Sequence, residues 1–166
     1  MPTVSPSRLA FVTQVEHVAA ELVVMDTHCQ DEAVAAGLDA GGTKTFKALL
    51  STLTASAASR FNGSGAAWVR VDGVSLAPTA AEFLAQGATA PLNVSSTGEY
   101  VRGRVWTGST AIDVQTAGDD DNCIDWQDPN GFAKVGDATI TSRMFTDDQA
   151  SSQLCSTPAR IYCLEE

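Results

Sequence analysis

Long apolar runs are missing from this sequence. None approaches the roughly 18 residues that cross a bilayer, so no transmembrane segment is expected. Basic residues are scarce as well: 10 Lys and Arg stand against 20 Asp and Glu, a net charge of -10. That balance repels nucleic acid, heparin and anionic membranes, and none of these is expected as a partner. There are only 2 histidines and no C-x-x-C pair, so neither zinc-finger ligand spacing nor a thioredoxin-like redox site is present. No Gly-x-Ser-x-Gly elbow occurs, and no nucleophile–base pairing can be read from the chain. The opening Met1-Pro2-Thr3 has neither a basic n-region nor an apolar stretch. If the protein is exported, its leader is expected to be absent from this chain.

What is present suits one small domain. The 166 residues are 44% hydrophobic, enough to bury a core. Residues 1–7 read as a flexible N-terminal stub and 8–166 as a single domain. Four cysteines, Cys29, Cys123, Cys155 and Cys163, allow three pairings if all are joined. Two structural disulfides, hence an oxidising compartment, are preferred to four buried thiols. Strands are predicted over 8–13, 45–50, 104–108 and 159–164, where β-branched and aromatic residues concentrate. Residues 68–71 alternate apolar and polar too briefly to decide. Helices are predicted over 26–38, capped by Asp26 or Thr27 and stopped by Gly37 or Gly41-Gly42, and over 78–86, with Pro78 at the first turn. That register puts Cys29 on the buried helical face. A Ser/Ala stretch ending at Arg60 suits a short helix. Residues 113–148, rich in Asp and Gly, carry no regular pattern. The expected class is α+β.

At this point the residues resemble a known family. Asp26-Thr27-His28-Cys29-Gln30, Ala36-Gly37-Leu38, Gly42-Thr43 and Thr45-Phe46-Lys47-Ala48-Leu49-Leu50-Ser51 are similar to the N-terminal signature of endostatin-like domains. Val105-Trp106-Thr107-Gly108-Ser109 resembles the family's central strand, Cys123-Ile124-Asp125-Trp126 its Cys-x-x-Trp, and Leu154-Cys155 with Ile161-Tyr162-Cys163-Leu164-Glu165 its closing cysteine pair. The likeness spans nearly the whole chain in order, and is nearer the bacterial secreted and lipoprotein branch of unassigned function than the animal one. It implies a C-type-lectin-like fold: a mixed, mainly antiparallel sheet, two helices, adjacent N- and C-terminal strands and a long irregular loop region. It also implies nested disulfides, Cys29 with Cys163 and Cys123 with Cys155. The departures are the acidic charge and the lack of an N-terminal histidine cluster, so heparin binding and the animal zinc site are not carried over.

The candidate chemistry is acidic. Asp119, Asp120, Asp121, Asp125, Asp128 and Asn130, flanked by Asp113, Asp137 and Asp147-Asp148, offer hard oxygens of the kind calcium takes six to eight at a time. Asp128-Pro129-Asn130 resembles the sugar-and-calcium triplet of true C-type lectins, but follows the Cys-x-x-Trp segment where theirs precedes its counterpart. A solvated loop with an ordinary Asp-Pro-Asn-Gly turn is the simpler account. His17 and His28 are expected at the surface or boundary without a catalytic role. Trp106 and Trp126 are expected in the core, and Trp68 is read as packing, with sugar stacking the alternative. The expectation is therefore a secreted or surface-displayed, non-enzymatic module that binds an extracellular protein or a glycan through residues 113–148, with no cofactor unless calcium. A structural or tip domain of an adhesive assembly is the alternative, and a hydrolase a further one.

Overall fold

Arg8–Val12 (β1) sends Ala10 and Val12 to one side and Phe11 to the other, and both sides are buried. This alternation, with its period of two, organises the fold seen in the computed structural model, which describes residues 6–145 and 152–166. The next strands are Phe46–Ala48 (β2), Trp68–Arg70 (β3), Arg104–Trp106 (β4), Phe132–Asp137 (β5), Ser152–Leu154 (β6) and Arg160–Glu165 (β7). They form one sheet in the order β3-β1-β7-β4-β5-β6, with β2 also paired to β7. The β1–β3 and β4–β7 pairs are parallel and the other four antiparallel. The class is thus α+β with a mixed sheet. First and last strands are neighbours, with Phe11 opposite Cys163.

Strand β7 is the spine. Ile161 and Cys163 face one core and Tyr162 and Leu164 the other. The first core is covered by Leu22–Ala35 (α1), whose Met25, Cys29 and Ala33 recur at i, i+4 and i+8 and are fully buried. The second is covered by Ala80–Gln86 (α2) through Ala80, Phe83 and Leu84. Thr79 caps α2: its hydroxyl oxygen accepts the Glu82 N–H at 3.1 Å, and the hydroxyl donates to the Glu82 carboxylate at 3.0 Å. The disulfides are Cys29–Cys163 and Cys123–Cys155, the pairing that the resemblance implies. The first fastens α1 to β7 across 134 residues of sequence. No helix among the described residues is long and apolar enough to cross a membrane.

Several expectations need correction. Helix α1 begins at Leu22, one turn before the predicted start. Asp26 is not its cap, because its carboxylate reaches across to β2, accepting the Ala48 N–H at 2.9 Å and pairing with Arg60 at 2.6 Å. Gly37 does end the helix, at φ +74°, with the Leu38 N–H bonded back to the Ala33 carbonyl. The Ser/Ala stretch gives only a 3-10 turn, Ala58–Arg60. The region 113–148 is not wholly irregular. It holds a 3-10 turn at Asp119–Asp121, a third helical element at Cys123–Trp126 (α3) and the six-residue β5. Helical elements therefore number three rather than two among the described residues. Asp147-Asp148 lies outside the described residues.

Candidate functional site

The acidic region is built around α3, and α3 is left-handed. Cys123, Ile124, Asp125 and Trp126 have φ of 59°, 51°, 55° and 67°. None is glycine, and each such residue costs roughly 1–2 kcal/mol against the right-handed alternative. The surroundings impose the turn. Cys123 is bonded to Cys155 just beyond β6. Trp126 is buried, stacks edge-on against Trp106 at 6.2 Å and donates its indole N–H to the Ser51 carbonyl at 2.9 Å. Asn122, fully buried, accepts the Asp125 N–H at 2.8 Å and donates to the Asp125 carboxylate and to Thr116 Oγ1, each at 3.1 Å. The Gln127 and Asp128 N–H groups close the turn on the Cys123 carbonyl.

The turn leaves Ile124 46% exposed. Phe132 on β5 and Leu154 on β6 lie directly opposite each other in register and are 47% and 38% exposed. Each of the three is one residue from the second disulfide or its contact: Ile124 follows Cys123, Leu154 precedes Cys155, and Phe132 follows Gly131, whose carbonyl accepts the Cys155 N–H. Sequence reasoning missed this apolar trio. Its only signal was a large apolar side chain beside each of two cysteines and a glycine.

The predicted acidic residues do not converge. Asp119 and Asp120 are exposed on the 3-10 turn. Asp121 pairs with Lys134 at 3.3 Å. Asp125 uses Oδ1 to accept the Leu53 N–H at 3.1 Å, tying the turn to the chain beyond β2. Asp128 accepts the Asn130 N–H at 2.9 Å, closing a local Asx turn. Asp137 holds the N–H and hydroxyl of Thr139. Asp113 lines a separate cavity of about 390 Å3 between the end of α2 and the segment 141–145. Among the described residues no three His, Cys, Asp or Glu side chains are grouped as a metal ligand set.

The other candidates also find places. Trp68 and Trp106 are buried like Trp126. Trp68 lies under the Arg8 guanidinium at 3.7 Å and donates to the Glu165 carbonyl, so none of the three indoles is free to stack on a sugar. The burial of Arg8 lowers its pKa. His17 is half-buried, at the boundary rather than exposed. It forms an isolated bridge with Ala159, stacks on His28 at 3.8 Å, and its buried Nε2 has no hydrogen-bond partner among the described residues. Burial first, and the neighbouring His28 second, lower its pKa. Glu32, one turn beyond His28, accepts the Gln14 N–H at 2.9 Å and stands 4.0 Å from His17 Nε2.

Compared with known proteins, the chain matches no family model and no curated protein. The two disulfides point to an oxidising compartment.

Proposed function

We propose that this chain is an endostatin-like domain of the C-type-lectin-like fold, secreted or displayed on a cell surface. Its work is non-enzymatic binding of another protein through the face built around α3, β5 and β6. Support for the family reading comes from the ordered motifs, the adjacent terminal strands and the nested disulfides. The observation that carries the functional reading is Ile124. A β-branched side chain held outward in a left-handed turn is unfavourable by itself. Here a disulfide, a buried asparagine and a buried tryptophan hold it in the segment joined through the second disulfide to the chain end of β6, where Leu154 is paired with Phe132 and both are exposed. Apolar side chains rimmed by charge on a rigid frame suit a protein interface. A glycan is less well served, because a sugar platform wants an accessible aromatic face and the indoles are enclosed.

The test is selection of a random-peptide phage library on the protein, with the double variant Ile124→Ser/Phe132→Ser as comparison. Peptides that bind the unaltered protein at least about tenfold more tightly than the variant, a difference of about 1.4 kcal/mol, support the reading. Peptides that do not distinguish the two, or saturable glycan-array binding that does, overturn it.

A further inference from the structure

Between the start of α1 and the left-handed turn runs a groove of about 330 Å3, bordered by Glu21, Leu22, Val23, Asp125, Trp126 and Gln127. Its two carboxylates lack a cation. Glu21 precedes α1 without capping it, and no described side chain pairs with it. Asp125 commits Oδ1 to Leu53 and Asn122, which leaves Oδ2 open. Seven of the protein's ten Lys and Arg side chains are engaged elsewhere. Lys44, Lys47, Arg60, Arg70 and Lys134 pair with Glu165, Glu166, Asp26, Asp72 and Asp121, and Arg8 and Arg160 donate to backbone carbonyls. None of the ten, Arg102, Arg104 and Arg143 included, borders the groove. Beside the carboxylates, next to Thr52, lie the apolar Leu22 and Val23, and Val23 is 66% exposed, the most exposed large aliphatic side chain among the described residues.

An occupant must therefore carry positive charge on an apolar stem. Calcium needs six to eight oxygens, and the groove brings two carboxylates. A lysine or arginine side chain meets both demands, since its methylenes can lie along apolar surface while its head reaches the carboxylates. Arginine fits better, because its planar fork can serve Glu21, Asp125 and the Gln127 carboxamide together. We infer that this groove is the anchor pocket for a basic side chain, arginine before lysine, on the protein partner. The inference rests on the reading above that the neighbouring face binds protein.

The experiment is an amide NMR titration of the protein with Nα-acetylarginine methylamide, and with the uncharged isostere Nα-acetylcitrulline methylamide as control. Saturable shifts centred on Leu22, Val23, Asp125, Trp126 and Gln127 are expected with arginine and not with citrulline. Glu21→Gln, which removes one charge from an exposed position, is expected to weaken them about fivefold. Asp125→Asn is a poorer variant because Asp125 also holds the turn. Equal shifts with both compounds, shifts spread evenly over Asp31, Asp119 and Asp120, or no effect of Glu21→Gln overturn the inference. Selected peptides that need Phe132 but ignore Glu21 overturn it while leaving the binding face standing. Arginine seated in the groove, with no peptide that needs Phe132, sinks the binding face instead.

Discussion

Gly108 lies directly against Trp126. A Cβ on Gly108 would stand 2.8 Å from Trp126 Cζ2 and 2.9 Å from the Ser51 carbonyl oxygen, and the residue's φ is +78°. The same carbonyl accepts the Trp126 indole N–H, so there is no slack to absorb a methyl group. Gly108→Ala combines a left-handed penalty with overpacking and is expected to cost about 3 kcal/mol. Chemical denaturation would measure it. Gly118→Ala, at a position with nothing nearby and an extended φ, is expected within about 0.5 kcal/mol of the parent.

Ile124 gives the opposite sign. Its side chain is exposed, so trimming it loses little burial, while its φ of 51° disfavours a β-branched residue. Ile124→Asn is expected to stabilise the protein by roughly 1 kcal/mol, because asparagine tolerates the left-handed region. The same change should weaken peptide binding at the proposed face. A lowered melting temperature would show that Ile124 packs inward.

Tyr162 is fully buried, and its hydroxyl has no hydrogen-bond partner among the described residues. Burial, reinforced by Asp137, pushes the phenol pKa far upward, which keeps the group neutral. An unsatisfied buried hydroxyl carries an uncompensated desolvation cost. Tyr162→Phe is therefore expected to be neutral or to stabilise by up to about 1 kcal/mol, read from the denaturant midpoint. A loss of more than about 1 kcal/mol would reveal a partner for the hydroxyl.

His17 sets a pH dependence. Its folded pKa lies below the ordinary histidine value, through burial and then His28. The unfolded chain takes up a proton near pH ~6.5, before the folded protein does. Protons thus favour the unfolded state, and stability present above that pH is lost as pH falls through the ordinary value toward the folded one. The fall in melting temperature between about pH 7 and pH 5 should be shallower in His17→Gln than in the parent. An unchanged slope would remove His17 as its source.

The sequence alone determined the parts of this protein that repeat or pair. Strands buried on both faces follow from the continuous apolar runs Leu9-Ala10-Phe11-Val12 and Ile161-Tyr162-Cys163-Leu164, and the buried helical stripe follows from Met25, Cys29 and Ala33 at one-turn spacing. Such signals are local, because the period of each element is written in a few neighbouring residues. The end of α1 was readable for the same reason, at Gly37. Its start was not, since Asp26 looks like a cap and serves instead as a tertiary partner of Ala48 and Arg60.

Only the tertiary structure decided the site. β5 has no clear strand pattern, yet it is paired on both sides. Its Gly136 is required because a Cβ there would collide with the Met144 carbonyl. The left-handed turn runs against the intrinsic preference of all four of its residues. What holds it comes from distant parts of the chain: Cys155, Ser51, Leu53 and the space that Gly108 leaves open. A local pattern cannot report a conformation whose free energy is supplied by contacts far away in sequence. The groove beside Glu21 and Asp125 was hidden for that reason.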